Sequence, residues 1–273
     1  MIHAPIAFIG GGNMARSLVG GLVARGTTGD AIRIAEPVDA LREALARDFG
    51  ARVFSAGSDA VAGASTWVLA VKPQVMRAVC ESLAPQAQAT RPLVISIAAG
   101  ITAAQLERWL GGDISVVRCM PNTPALLGAG VTGLFANDHV DASGRDAAQS
   151  LLAAAGETAW IGDEALMDAV TAVSGSGPAY VFLLAEAMQA AALAEGLPAD
   201  AARTLVLQTI LGAARMLTEG DVDAAEQRRR VTSPNGTTQA AIEAFEAGGF
   251  RDLVARAIHA ATVRGRELAA AND

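Results

Sequence analysis

Short apolar runs alternate with longer amphipathic stretches through the first half of the chain. Ile6-Ala7-Phe8-Ile9, preceded by Pro5, reads as a strand, and residues 13–25 carry the apolar period of a helix. Ile32–Ala35 repeats the strand signal and residues 40–47 the helical one. Further strand signals are weak at 53–55, strong at 66–71 and 93–97, and present at 116–119, 131–135 and 159–161. Strands separated by helices of this length predict parallel βαβ crossovers. From about Asp163 the strand signals stop. Alanine-rich helical periodicity then runs to the end, broken at 174–178, 196–198 and 233–236 by Gly, Pro and Ser. The pattern predicts an α/β N-terminal domain over residues 1–162 and an all-α C-terminal domain over 163–273.

One helix in the second half is unusual. Gly177 can cap its start, Pro178 fits the first helical position and Gly196 ends it. Its residues are apolar nearly all round, so one packed face cannot account for them. In a domain of about a hundred residues, packing against another subunit is favoured over a central place in its own core. Glu186 and Gln189 interrupt the apolar stretch, which barely reaches spanning length, so a membrane span is disfavoured.

Composition narrows the function classes. With 52% hydrophobic and 18% charged residues in 273, the chain is globular. A net charge of -7 without a basic run argues against a nucleic-acid surface, and 4% aromatics argue against base-stacking platforms. Cys80 and Cys119 are the only cysteines, and His3, His139 and His259 the only histidines. No two of them sit at metal-ligand spacing, so no metal centre is expected. The cysteines read as buried thiols of a cytoplasmic protein, and Met1–Pro5 lacks the features of a signal peptide. Lys72 is the only lysine.

The chemistry starts at Gly10-Gly11-Gly12-Asn13-Met14-Ala15, which fits G-x-G-x-x-A directly after the first strand, at Ile9. Gly10 permits the tight turn, Gly12 lets the backbone approach a pyrophosphate, and Ala15 stays small for helix–strand packing. The N–H groups opening the helix at Asn13 and Met14 then face the phosphates. Glu36 follows the second strand about twenty residues on, where an acid would bind the adenosine ribose. A glycine loop that merely packs a helix on a sheet is the bland alternative. A second turn, Ala70-Val71-Lys72-Pro73, ends another strand, and Pro73 fits a helix start beside the cofactor. Lys72 is either a surface lysine or a phosphate-facing charge.

Two polar segments mark the helical half. Ser174-Gly175-Ser176-Gly177-Pro178 allows an unusual backbone, with hydroxyls and N–H groups turned toward a helix start; a plain interhelix break is the alternative. Thr232-Ser233-Pro234-Asn235-Gly236-Thr237-Thr238 is a turn feeding a helix, and its free N–H groups suit a small carboxylate. Helix capping would need one hydroxyl residue, whereas this turn supplies four. Arg228, Arg229 and Arg230 before it fit a solvated helix end better than an anion trap.

Together with Ser96–Ile101, Arg118–Pro124 and Asp168–Tyr180, these segments resemble the pyrroline-5-carboxylate reductase family along most of the chain. The resemblance implies a Rossmann-type N-terminal domain and a C-terminal domain that forms a homodimer by interlocking helices, with larger rings, often decamers, in the family. It implies reduction of 1-pyrroline-5-carboxylate to L-proline with NADPH or NADH, with no nucleic-acid or membrane partner. Family members often carry two glycines after the proline of the last turn, whereas Asn235 precedes Gly236 here; asparagine tolerates left-handed angles.

The expected mechanism is modest in its demands. If the cyclic imine binds already protonated, a hydroxyl that orients its nitrogen suffices, and acceleration comes from placement beside the nicotinamide. Thr238 is the candidate for that contact. Ser176, Gly177 and the segment Ser233–Thr237, including Asn235 and Gly236, are candidates for the carboxylate. Glu36 would repel the 2′-phosphate of NADP and accept a ribose hydroxyl of NAD, against the family tendency toward NADPH. β-Hydroxyacid dehydrogenases share the two-domain plan but place a lysine at the start of the long helix, and residues 174–182 have none. A broader imine reductase, or a dinucleotide sensor without need of the 233–238 turn, remains open.

Overall fold

The computed structural model describes residues 5–271; His3 and the rest of the N-terminal Met1–Ala4 lie outside them. The described residues divide into two compact units, one formed by residues 5–176 with 260–271, the other by Gly177–His259.

The first unit is built on eight strands: β1 (Ile6–Ile9), β2 (Ile32–Ala35), β3 (Arg52–Phe54), β4 (Thr66–Leu69), β5 (Leu93–Ser96), β6 (Val116–Met120), β7 (Gly130–Ala136) and β8 (Gly156–Trp160). Between them run α1 (Asn13–Ala24), α2 (Asp39–Phe49), α3 (Gly57–Val61), α4 (Pro73–Thr90), α5 (Ala103–Trp109) and α6 (Ala142–Leu152). The strand order is β3-β2-β1-β4-β5-β6-β7-β8, so the winding reverses between β1 and β4. In such a sheet the crevice beyond the carboxyl ends of the two strands at the reversal is where ligands bind.

The two-residue period of the strands explains the two cores. Ile6 and Phe8 point to one face, where α1 contributes Leu18, Val19 and Leu22, and α6 contributes Leu151. Ala7 and Ile9 point to the other, against Trp67, Met76, Cys80 and Leu106. Strands covered on both faces read as continuous apolar runs, which is why β1 and β4 stood out in the sequence. Burial of a side chain such as Phe8, fully enclosed here, stabilises by roughly 1.5–3 kcal/mol.

One pairing departs from the predicted parallel crossovers. β7 runs antiparallel to β6, with Cys119 opposite Leu134. The link between these strands holds only a short 3-10 segment, Thr123–Leu127, and that is too little chain for a crossover helix. Where real helices intervene, as in β1–β2 and β4–β5, the pairing is parallel.

After β8 only helices follow among the described residues: α7 (Met167–Val170), α8 (Gly177–Ala194), α9 (Ala199–Glu219), α10 (Ala224–Arg230), α11 (Thr237–Ala247) and α12 (Phe250–Ala271). In α8, Ala185 is the one buried residue, and Val181, Phe182, Leu183 and Leu184 stand exposed on the single chain.

Candidate active site

The glycine turn sits at the winding reversal. Gly10 donates its N–H to the Ala35 carbonyl, while the Ala70 N–H reaches back to the Ile9 carbonyl at 2.8 Å. Gly10 has φ +103, and a Cβ there would lie 2.7 Å from the Ala70 oxygen, so both backbone angle and crowding demand glycine. Gly11 is pressed from the other side, its would-be Cβ 2.6 Å from Leu45 Cδ1. Gly12 differs. It is exposed, it caps α1 without a side-chain bond, and a Cβ there would meet nothing within 4 Å. Protein packing therefore does not require glycine at this position. The bare backbone leaves a cradle before the N–H groups of Asn13, Met14 and Ala15, and a dinucleotide pyrophosphate fits it by charge and shape.

Glu36 closes the turn from β2. Its Oε2 accepts the Gly11 N–H at 2.9 Å and its Oε1 the Val38 N–H at 3.0 Å, and the residue is 7% exposed. On the opposite flank, Ala70 and Val71 are half-buried and Lys72 is an exposed N-cap to α4, which starts at Pro73. Ile9, Gly10–Ala15, Glu36 and Ala70–Pro73 thus border one end of the sheet.

The Ser174–Pro178 segment is not an open break. Residues Thr171–Gly175 form a π-helical turn with the Ser176 N–H donating to the Thr171 carbonyl at 2.8 Å, and neither Gly175 nor Gly177 has a positive φ. Proline supplies the reason. Pro178 has no N–H to offer the Ser174 carbonyl four residues earlier, so the regular ladder fails there. Asn122 repairs the loss: its Nδ2 donates to the Ser174 oxygen at 3.1 Å, and its Oδ1 accepts the Val131 N–H at 3.0 Å. Gly175 is needed because a Cβ would meet Met120 Cε at 2.5 Å. The Ser174 hydroxyl is turned back to the Val170 carbonyl.

A buried ion cluster braces the same region. Arg118, 4% exposed on β6, reaches Glu164 at 3.2 Å and Asp168 at 3.3 Å, and Glu164 also accepts the Ala103 N–H. The apolar period and the motifs do not single out Arg118, Asp168 or Asn122, whose contacts brace this region. The flanking prolines of Pro121-Asn122-Thr123-Pro124 were the available signal, since an asparagine in so rigid a loop is well placed to cap another backbone.

In the second unit, α11 opens at Thr237 behind Gly236, with no side-chain cap. Asn235 has φ +56, the left-handed conformation that asparagine tolerates, and its N–H donates to Gln239 Oε1. Ser233 accepts the Gly236 N–H through its carbonyl, and Thr232 donates to the Arg228 carbonyl. Among the described residues no hydrogen bond engages the Thr237 and Thr238 hydroxyls. A helix N-terminus with unspent donors and free hydroxyls can hold a carboxylate. Arg228, Arg229 and Arg230 are spent on Glu246 and Glu226, as a solvated helix end would be.

Among the described residues one group could ligate a metal: Glu107, Asp113 and His139. It lies at the amino ends of the parallel strands, away from the glycine turn, and Glu107 is already bonded by His139, Asn137 and the Asp113 N–H. Burial pushes the Cys80 thiol up to about 12, and Cys119 upward as well, so neither is a nucleophile near neutral pH.

Comparison with known proteins bears on both halves. The family profile described as pyrroline-5-carboxylate reductase dimerisation matches residues 164–268, and that described as NADP oxidoreductase, coenzyme F420-dependent, matches residues 5–100. A pyrroline-5-carboxylate reductase of Pseudomonas aeruginosa is 54% identical over 97% of this chain and 96% of its own. The structure of such a reductase from Coxiella burnetii superposes with a TM-score of 0.94 at 42% identity, covering 97% of this chain and 98% of that one. A Plasmodium falciparum pyrroline carboxylate reductase with NADP bound gives 0.85 at 27% identity, over 98% and 99% of the chains.

Proposed function

The chain belongs to the pyrroline-5-carboxylate reductase family, and we infer that it reduces 1-pyrroline-5-carboxylate to L-proline by hydride transfer from NADPH or NADH, the last step of proline biosynthesis. The observation that carries this reading for the chain's own residues is the open glycine cradle of the first unit, supported within the second unit by an uncapped helix start bearing a free threonine hydroxyl. Residues 1–162 serve as the dinucleotide domain and 163–273 as the substrate and dimerisation domain.

Ile9, the turn Gly10–Ala15, Glu36 and the Ala70–Pro73 backbone bind the dinucleotide. Gly12 admits the pyrophosphate, and the α1 N–H groups neutralise it. The N–H groups of Ser233–Thr237, with Ser176 and Gly177, hold the substrate carboxylate. Asn235 supplies the left-handed corner that aims them, and Gly236 leaves room at the helix mouth. Thr238 holds the ring nitrogen by its hydroxyl and so fixes which carbon faces the nicotinamide. No strong acid is called on, since the imine binds protonated, and orientation supplies most of the acceleration. The lone Lys72 is exposed at an N-cap on the dinucleotide side, which leaves the alcohol-oxidising lysine chemistry of β-hydroxyacid dehydrogenases without its base.

The dimerisation match and the exposed apolar α8 support a homodimer as the working unit; a decamer as the larger assembly rests on the family resemblance alone. Two buried thiols fit a cytoplasmic setting.

The test is consumption of NADPH or NADH on adding 1-pyrroline-5-carboxylate. Thr238→Ala should lower kcat roughly 100-fold, with the dinucleotide Kd unchanged. Wild-type rates in that variant would remove Thr238 from the mechanism. Tight dinucleotide binding without turnover in the wild type would favour a sensor.

A further inference from the structure

We propose that the buried carboxylate of Glu36 makes this enzyme discriminate in favour of NADH over NADPH, which deepens the dinucleotide reading above and rests on it. The position comes from topology. Glu36 is the residue directly after β2, whose neighbour β1 runs into the glycine turn. At that strand end, beside a dinucleotide turn, the adenosine ribose is bound and its 2′-substituent is met.

The carboxylate is fixed there. Its two oxygens accept the N–H groups of Gly11 and Val38, its own N–H donates to the Phe54 carbonyl, and its carbonyl accepts from Arg42 Nη1 at 2.8 Å. The last two bonds fix the backbone, and the Gly11 and Val38 bonds fix the side chain, which swings aside for a larger ligand only by giving both up. An ionised carboxylate has about four acceptor positions, and two remain after Gly11 and Val38. Those two can accept ribose hydroxyls. A 2′-phosphate brings only acceptors and negative charge to the same place, and it would need a donor or a cation.

The charges around Glu36 offer none to spare. Arg42 spends Nη1 on the Glu36 and Pro37 carbonyls and Nη2 on Asp39. Arg16 on α1 is paired with Asp48, which also takes Arg47. Asp39 balances Arg42 within their ion pair, so the loop after β2 carries no surplus positive charge. Lys72 caps α4 after β4, and β1 lies between β4 and β2 in the sheet. The 2′-phosphate would therefore meet a fixed anion with its neighbouring guanidinium groups already engaged.

The decisive experiment is equilibrium binding by the full-length protein, without imine, of NADH and NADPH followed by nicotinamide fluorescence. NADH should bind roughly tenfold or more tightly than NADPH. Equal affinities, or tighter NADPH, would overturn the proposal. Glu36→Gln keeps the shape and one acceptor oxygen while removing the charge, and it should move the affinity ratio toward NADPH. Equal losses for both dinucleotides would mean that Glu36 only buttresses Gly11, and that too would overturn it. Should the variant fail to fold, competition on the wild type by ADP-ribose and 2′-phospho-ADP-ribose decides, with the unphosphorylated compound expected to compete better. None of these readouts needs turnover, so absence of imine reduction would count against the reductase reading and not against this one.

Discussion

Adjacent glycines in one turn have different physical duties. A methyl group at Gly10 would face the Ala70 oxygen on a backbone held at φ +103, so Gly10→Ala should destabilise the fold by about 2–4 kcal/mol. At Gly12 the backbone is extended and the space open, with φ -68 and ψ -177. Gly12→Ala should leave thermal stability within about 0.5 kcal/mol while dinucleotide affinity falls at least tenfold. Thermal melts and fluorescence titration of the two variants separate these roles; matching losses of stability would contradict the open cradle. The cysteines carry a pH effect whose sign follows from their burial. A raised folded pKa means that stability is complete below the unfolded thiol value, near 8.5, and declines as pH rises above it. At pH 10 the loss is about 1–2 kcal/mol per thiol. Denaturant midpoints between pH 8 and 10, compared with Cys80→Ala, measure it as a shallower decline in the variant.

At the scale of elements, the strands were legible because apolar runs bounded by Gly and Pro are local signals. Ile32–Ala35 coincides with β2, and the 66–71 reading overshoots β4 by two residues, at Ala70 and Val71, where the chain leaves the sheet for the crevice. The Ser174–Pro178 segment reads as a break in the helical period, and the structure bridges it with a π turn over Thr171–Gly175 that leads into α8. Glycines and a proline announce that the helical ladder fails, but not how the orphaned Ser174 carbonyl is satisfied. Its partner, Asn122, is 52 residues away. Asn122→Ala leaves that carbonyl and the Val131 N–H without their bonds, at a cost of about 1–3 kcal/mol. Because the turn leads to Ser176 and Gly177, KM for the imine should rise several-fold while the dinucleotide Kd holds. A variant with unchanged KM and lowered stability would reduce Asn122 to a structural brace.

For the whole molecule, the telling surface belongs to α8. One helical stretch, Glu164–Ala194, is long and apolar enough to cross a membrane by length and composition alone, and only 6% of the apolar 18-residue window within it is buried in the single chain. That stretch lies within residues 164–268, which match the family profile described as pyrroline-5-carboxylate reductase dimerisation. In the same unit, a groove of about 830 Å³ between α8, α10, α11 and α12 is lined by Leu184, Met188, Ile242, Phe245 and Val254. Phe182→Glu should convert dimers to monomers in light scattering at micromolar protein, with far-UV circular dichroism retained, since a central aromatic contributes about 2–4 kcal/mol to such an interface. Dimers of undiminished stability would place the interface elsewhere. The sequence alone determined where the glycine turn lies, that helices follow strands, and that α8 is apolar nearly all round, because apolar period and Gly or Pro placement act on neighbouring residues. Only the tertiary structure decided that β7 runs against β6, that Asn122 replaces the bond Pro178 cannot make, and that Glu36 is pinned to Gly11. Those outcomes depend on groups 13 to 52 residues apart, from Met120 opposite Gly133 to Asn122 beneath Ser174, and no local period encodes them.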